Sequence, residues 1–357
     1  MNTRSKLYPI RCICLISRLQ QLFAILITVA MVCIVYESYI SVYNQLLDNT
    51  FNQQCHQQDE VDRINLQMEQ LYMQQPFLDS RLALINCTIV PCRCICTNVD
   101  FVVIVHIRAE DAQGRNIWRA TYGESYLRNK FNYSLLFVVG KPRFLINQEI
   151  IEEESASYGD ILQMDFTDSY RNITLKHLAE LRYLASACND NIVIIKMDDD
   201  VAWDIQQISN FVRHNITSDN LFCARRAHHH PFRDPHVKWA ATKEEWNETT
   251  YPPYCPGYFY LAPISAVKKL LNVAHLQRFF WIDDVLITGV LRRAANVGIT
   301  NMDTISGDTQ YPLNRPRKKI AFLTKKLYVR QWFFAINRNG LLPNQSRVHK
   351  YNNSFFY

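Results

Sequence analysis

Apolar and polar positions divide the chain into three regimes. The first is one long uncharged run: Leu19 to Tyr36 is 18 residues without a charge, between Arg18 and Glu37. As a helix rising about 1.5 Å per residue it would span about 27 Å, which suits the thinner membranes of the early secretory pathway. Arg4, Lys6, Arg11 and Arg18 precede it with no acid among them, a bias that keeps the N-terminal side in the cytosol and sends the rest of the chain to the lumen. A cleaved signal peptide is the competing reading. The run is longer than the usual apolar segment of such peptides, and Glu37, Ser38, Tyr39 and Ile40 offer no small-x-small cleavage site. The expectation is a cytosolic tail at 1–18 and an uncleaved transmembrane anchor at 19–36.

The second regime, 37–97, is rich in Gln and Asn, lacks Gly and shows weak apolar periodicity. It reads as a spacer, or stem, between membrane and body. Asn65 to Met73 could form a short helix, and self-association through it, giving a homodimer, is a second reading.

The third regime begins near Asp100. Phe101 to Ile107, Ser134 to Gly140, Asp160 to Phe166 and Ile192 to Met197 are short continuous apolar runs, the pattern of strands covered on both faces. Between them, segments through Trp118, at Glu149 to Ser155 and at Leu175 to Ala187 read as helices. Strands alternating with helices predict an α/β fold built on a largely parallel, doubly wound sheet. The body is expected over 98–340, with a tail at 341–357.

Composition agrees with a lumenal body. Of 357 residues, 48% are hydrophobic and 20% charged, an ordinary globular balance. A net charge of +6 from scattered basic residues gives no reason to expect nucleic acid, and the densest basic cluster, Arg315 to Lys319, reads as a solvated turn. Seven Asn-x-Ser/Thr triplets begin at Asn86, Asn132, Asn172, Asn215, Asn247, Asn344 and Asn352. Eight of the 11 cysteines lie beyond the anchor (Cys55, Cys87, Cys92, Cys94, Cys96, Cys188, Cys223 and Cys255). An even number in an oxidising compartment suggests disulfides, with a pairing that spacing does not fix. The cluster from Cys87 to Cys96 has no C-x-x-C pair and no nearby His, which favours disulfides over zinc there.

The candidate chemistry is carboxylate. Asp198, Asp199 and Asp200 follow the last apolar run directly, and ligands of doubly wound sheets bind outside the carboxyl ends of strands. Three adjacent carboxylates repel unless water or a cation attends them. An all-oxygen set suits Mg2+ or Mn2+, which bridge to phosphates and stabilise a departing diphosphate. With a lumenal anchor, this suggests a nucleotide-sugar transferase. A second acidic pair, Asp283 and Asp284, lies between an aromatic run and a helix. Inverting glycosyl transfer needs one carboxylate base to take the acceptor proton; a helix N-terminus stabilised by acids is the competing reading. His228, His229 and His230 read as a polar loop, because three adjacent His cannot all face one ion.

Five segments in order resemble the β-1,3-galactosyltransferase family (glycosyltransferase family 31). RNIWRATYG (Arg115 to Gly123) resembles R-x-x-I-R-x-T-W-G, with Tyr122 for Trp. EESASYGDILQMDFTDSYRNITLK (Glu153 to Lys176) resembles E-x-x-x-Y-x-D-I-I-x-x-D-F-x-D-x-Y-x-N-L-T-L-K. KMDDDV (Lys196 to Val201) resembles K-x-D-D-D-V, YPPYCPGYFYLAP (Tyr251 to Pro263) resembles Y-P-P-Y-C-S-G-x-G-Y, and IDDVLITG (Ile282 to Gly289) resembles E-D-V-x-x-G. The resemblance covers about 100–300. It implies a GT-A-type nucleotide-sugar transferase fold (a Rossmann-like mixed sheet), a UDP-sugar donor, Mn2+, inversion, a glycan acceptor and a single-pass type II Golgi membrane protein. It implies Asp200 as the direct metal ligand, with Asp198 and Asp199 on the ribose or in the metal shell. Asp284 is implied as the base, with Asp283 the alternative, and Arg115 and Arg119 as residues near the nucleotide. Asp165, Tyr170 and Lys176 fall in a segment that closes the donor pocket or packs it. Tyr254 and Trp281 are candidates for stacking on a sugar or for the core.

Two departures stand out. No His occurs between His275 and His349, where the family often has one near the metal; water, Asp303 or Asp308 would have to complete the shell. Pro256 and Phe259 replace small residues after Cys255. Which hexose (Gal, GlcNAc or GalNAc) is moved is left open, since one hydroxyl or acetamide contact decides it. A catalytically silent sugar-binding homologue, or a two-carboxylate hydrolase, is the alternative.

Overall fold

The computed structural model describes residues 28, 31–32, 34–40, 58–83, 85–91, 93–302 and 321–323. Two compact units divide at Asp59 and Glu60. In the first, the described residues from 31 to 40 are helical and carry exposed apolar side chains such as Val35 and Tyr36. The expected anchor lies mostly outside the described residues, and among those described no helix is long and apolar enough to cross a membrane.

The second unit begins earlier than the sequence pattern suggests. A helix over 58–72 (α1) buries Val61, Ile64 and Met68 in the core shared with the sheet. These three follow helical spacing, but the stripe is short, and an exposed Leu66 between them blurs it. The segment expected as a spacer therefore belongs to the folded body from Glu60 onward.

An eight-stranded sheet carries the body, in the order β1 (Cys87–Ile89), β4 (Ile161–Thr167), β3 (Tyr133–Lys141), β2 (Phe101–His106), β5 (Val193–Asp198), β8 (Phe259–Pro263), β7 (Leu221–Cys223), β9 (Ile299–Asn301). The four strands predicted from apolar runs, β2 to β5, are mutually parallel. The sheet as a whole is mixed, because β8 returns antiparallel beside β5 and β1 antiparallel beside β4. A small second sheet pairs β6 (Val201–Trp203) with β10 (Ala321–Leu323).

Helices cover both faces. Alternate residues of β2 point to opposite sides: Val102 and Ile104 meet the cluster built with α1, α5 (Ile173–Ala187) and α7 (Ile264–Asn272). Phe101, Val103 and Val105 meet α2 (Ala112–Ala120), α3 (Ser125–Phe131), α4 (Leu145–Tyr158) and α6 (Ile205–Asn215). Gly159 ends α4 at φ 61°, the left-handed conformation that favours glycine at a helix C-terminus. The chain winds outward from β2 to β3 and β4, then crosses back through α5 to lay β5 on the other side of β2. That reversal is a topological switch point, where doubly wound sheets open a crevice at their carboxyl ends. The register places His106 and Asp198 side by side at that point.

Among the described residues, disulfides join Cys96 to Cys188 and Cys223 to Cys255, while Cys87 is a buried thiol. The first ties the turn before β2 to the end of α5. The second ties β7 to the loop entering β8.

Candidate active site

The aspartate triplet sits where its strand leaves the sheet. Asp198 is the last residue of β5, between β2 and β8. Its amide donates to the Tyr258 carbonyl at 3.2 Å, and the Asp199 amide donates to the His106 carbonyl at 3.2 Å. The indole N–H of Trp118 holds the Asp199 carbonyl at 3.1 Å. Behind them, the fully buried Tyr122 hydroxyl accepts from the Trp203 amide and donates to the Trp203 carbonyl, both at 3.0 Å. The turn carrying the carboxylates is thus pinned on three sides. Asp204, the fourth acid of the stretch, caps α6 by accepting from the Gln207 amide at 3.1 Å and takes no part in the cluster.

Burial, and next the neighbouring Asp198 carboxylate, push Asp199 and Asp200 up to about 6. A divalent cation would relieve this crowding, and the donor set is all oxygen, so the cluster fits a hard cation such as Mg2+ or Mn2+. Among the described residues no three His, Cys, Asp or Glu side chains converge as a complete metal site. Asp303 and Asp308 lie outside the described residues. Two of the three adjacent His go to separate partners: His229 Nδ1 to the Tyr254 hydroxyl at 3.1 Å and His230 Nδ1 to the Thr249 carbonyl at 2.9 Å.

Asp283 and Asp284 open a helix whose Val285–Leu291 segment is a π-helix, a form often found at functional sites. Asp284 Oδ1 accepts from the Val285 amide at 2.8 Å and Oδ2 from the Gly257 amide at 2.9 Å. Gly257 approaches closely enough that an added Cβ would stand 3.5 Å from the Asp284 side chain. Thr288 secures this loop, accepting from the Cys255 amide at 2.9 Å and donating to the Asp284 carbonyl at 2.6 Å. Burial first, and then the Asp283 carboxylate, raise Asp284 to about 7. Asp283 moves the other way: burial opposes its ionisation, but the His177 hydrogen bond and the Lys196 ammonium outweigh it.

Lys196 joins the two acidic motifs. It is 1% exposed, inside β5. Its ammonium donates to Asp198 Oδ1 at 2.8 Å and to the Gly257 carbonyl, while the Gly257 amide faces Asp284. A chain of direct contacts therefore runs from Asp198 through Lys196 and Gly257 to Asp284. Segments more than 80 residues apart in sequence form one site.

Four of the residues singled out from sequence are held differently. Arg115 is fully buried and its guanidinium is taken up by Glu154 (Nε at 2.6 Å) and the Arg108 and Ala109 carbonyls. Arg119 pairs with both oxygens of Asp160 at 2.8 Å and lies over the Tyr158 ring. Both brace the loop after β2 and the start of β4 from behind. Asp165 points from the exposed side of β4 to Lys141 at 2.5 Å. Lys176 is buried, donating to the Ile107 carbonyl at 2.9 Å and to Asp168 at 3.0 Å.

Asp168 is the acid of that segment turned inward. One oxygen accepts from the Ala109 amide at 3.0 Å, the Gly140 amide at 3.2 Å and Lys176. It clamps the loops after β2 and β4 to the end of β3 at the carboxyl ends of the sheet. Gly140 permits this, since a Cβ there would meet the Phe166 carbonyl oxygen at 2.7 Å. The sequence pattern does not single out His177, Glu180 and Tyr260; its one sign is a His and a Glu three apart on the buried face of α5. Tyr254 and Trp281 are core residues, 6% and 5% exposed. Tyr170, Phe232 and Trp239 are the exposed aromatics nearby, with Lys238 4.5 Å over the Tyr170 ring.

Comparison with known proteins shows the family to which the chain belongs. The Galactosyltransferase family model matches residues 113–303, from α2 past β9 and across both acidic motifs. Beta-1,3-galactosyltransferase 4 of Mus musculus is 31% identical over 245 residues, covering 60% of this chain and 65% of that protein. Beta-1,3-galactosyltransferase 1 of Mus musculus is 25% identical over 226 residues, covering 62% and 69%. The chain spans about 65% of the length of the first of these relatives. Among solved structures, apo mouse xyloside xylosyltransferase 1 aligns with 64% of this chain and 98% of its own at 10% identity, with a TM-score of only 0.30. The family match, which covers more than half of the chain, shows that this protein belongs to the galactosyltransferase family.

Proposed function

We propose that the protein is an inverting glycosyltransferase of GT-A type that moves a hexose from a UDP-sugar to a glycan acceptor hydroxyl in β-1,3 linkage, with Mn2+ as cofactor. The observation that carries this reading is the Asp198–Lys196–Gly257–Asp284 chain, which fixes a carboxylate cluster suited to a cation-bound diphosphate against a carboxylate with the basicity of a general base. A bound cation would supply charge neutralisation at the leaving diphosphate. Asp200 and Asp198 would hold it, with Asp199 alongside.

The chain's own residues account for the rest. Asp284, raised to about 7, is poised to accept the acceptor proton near neutral pH, where a base is most effective. The Gly257 and Val285 amides orient its carboxylate. Asp168 and Lys176 set the loops that would receive the nucleotide. Tyr170, Trp239 and Phe232 present aromatic faces suited to the apolar side of a pyranose. Burial and the Asp283, Asp198 and Asp284 carboxylates push the Tyr170 hydroxyl up to about 12, so this ring lies within the field of the acids.

The same reading gives a type II Golgi membrane protein with a lumenal body, anchored by 19–36. A screen of UDP-galactose, UDP-N-acetylglucosamine and UDP-N-acetylgalactosamine against glycan acceptors, with linkage analysis of the product, tests the reading. A β-1,3-linked product from one donor, dependent on Mn2+, is expected. UDP binding without transfer to any acceptor would point to a silent homologue; sugar release without a UDP-sugar would point to a hydrolase.

A further inference from the structure

Beneath the acid pair lies a layer of buried polar side chains with no part in the reaction described so far. His177 is fully buried on α5. Its Nδ1 lies 2.7 Å from Asp283 Oδ2 and its Nε2 lies 2.7 Å from the Tyr260 hydroxyl on β8. The two contacts fix one arrangement: the tyrosine hydroxyl donates to Nε2, so the ring keeps its hydrogen on Nδ1 and donates it to Asp283. Glu180, one turn further along α5, stands 3.9 Å from Nε2 and pairs with His106 Nε2 at 2.6 Å. The His106 ring meets the His177 ring edge-on at 5.5 Å. Lys196 reaches in from β5, with Asp198 beyond it.

The two adjacent acids are therefore held in opposite senses. Asp283 is 7% exposed and turned inward onto His177. Among the described residues, the Asp284 carboxylate is held by two backbone amides, those of Gly257 and Val285.

We propose that His177 is a positioning residue that divides the roles of the acid pair: by binding Asp283 from beneath, it withdraws that carboxylate from the cleft and leaves Asp284 as the single base. The inference deepens the glycosyltransferase reading and rests on it. Without the Nδ1 hydrogen, the buried Asp283 carboxylate loses its partner and turns toward the cleft or takes up a proton. Either change displaces Asp284, the next residue along one helical turn.

The test compares His177→Asn with His177→Gln in the full-length protein. The Asn amide nitrogen sits near the position of Nδ1, whereas that of Gln sits near Nε2. The Asn variant is expected to keep kcat within about threefold of the parent and the Gln variant to lose about tenfold or more. KM for the donor should stay within about twofold in both, because the loss is confined to the transition state. Equal kcat in the two variants, whether at the parental level or equally reduced, would overturn the inference. If thermal melts show that neither variant folds, Tyr260→Phe takes their place. It removes the hydroxyl that sets the ring hydrogen on Nδ1, and kcat should fall about three- to tenfold at unchanged donor KM; parental kcat in that variant would overturn the inference. A parent that transfers no sugar from any UDP donor would instead sink the glycosyltransferase reading itself.

Discussion

Lys196 Nζ stands 2.8 Å from Asp198 Oδ1 although Lys196 is buried inside the central strand of the sheet. A lysine in a strand that is otherwise Val, Ile and Met up to its terminal Asp198 is tolerated because its ammonium has two partners, Asp198 and the Gly257 carbonyl. Lys196→Met keeps the length and removes the charge. It frees Asp198 and strands the carbonyl. We expect kcat/KM to fall about 100-fold, or about 2.7 kcal/mol of transition-state stabilisation. Lys196→Arg should not rescue it, since a planar guanidinium does not fit a slot shaped for a point charge. Steady-state kinetics on the three proteins checks this.

Asp284 sets a pH dependence of activity and of stability. As a base it must be ionised, so kcat should rise about tenfold per pH unit below about 7 and level off above it. For stability the sign is opposite to that of a salt-bridged acid. The folded-state value, about 7, lies above the ordinary 3.8, so between those values the folded protein binds more protons than the unfolded chain. Stability conferred by protonated Asp284 is present at acid pH and is lost as pH rises through that window. In metal-free buffer the melting temperature of the parent, measured against Asp284→Asn, should decline from about pH 4 to about pH 7.

Asp168 bonds the Ala109 and Gly140 amides and the buried Lys176 through one carboxylate. Asp168→Ala leaves the lysine without its counter-ion, a change that costs about 3–5 kcal/mol in buried pairs. Chemical denaturation should show a loss of that order, together with weaker UDP binding because the loops after β2 and β4 lose their clamp on the end of β3. Asp165→Ala, which removes only a surface pair with Lys141, should cost under about 1 kcal/mol.

This contrast marks what the chain makes legible. The four parallel strands are readable because each is a continuous apolar run, as burial on both faces requires. Asp198 to Asp200 are readable as a site because a charge cluster at the end of such a run needs a reason. The choice between Asp165 and Asp168 is not readable: one lies near the end of β4 and the other just after it, and side-chain direction decides between them. Arg115 and Arg119 carry their segment of the family resemblance, yet their partners Glu154 and Asp160 lie about 40 positions away in sequence. The packing of α1 is hard to read because its buried stripe is only three residues long, while Leu66 and Leu71 lie on the exposed side. The antiparallel β8, only five residues long, follows a loop of more than 30 residues with no periodic signal.

The Cys223–Cys255 bridge closes a loop across a separation of 32 residues and anchors the turn that carries Gly257. Loop-closure entropy puts its contribution at about 3–4 kcal/mol. A Cys223→Ser, Cys255→Ser double variant should unfold at correspondingly lower denaturant. It should lose activity before it unfolds, because Gly257 orients Asp284.

The account rests on a division of labour between two acidic motifs, and one paired experiment tests it most directly. UDP binding in the presence of Mn2+ and sugar transfer are measured for Asp200→Asn and Asp284→Asn. Asp284→Asn should bind UDP with Mn2+ as the parent does and transfer no sugar, whereas Asp200→Asn should lose both. Full transfer by Asp284→Asn, or Mn2+-dependent UDP binding by Asp200→Asn at parental affinity, would contradict it.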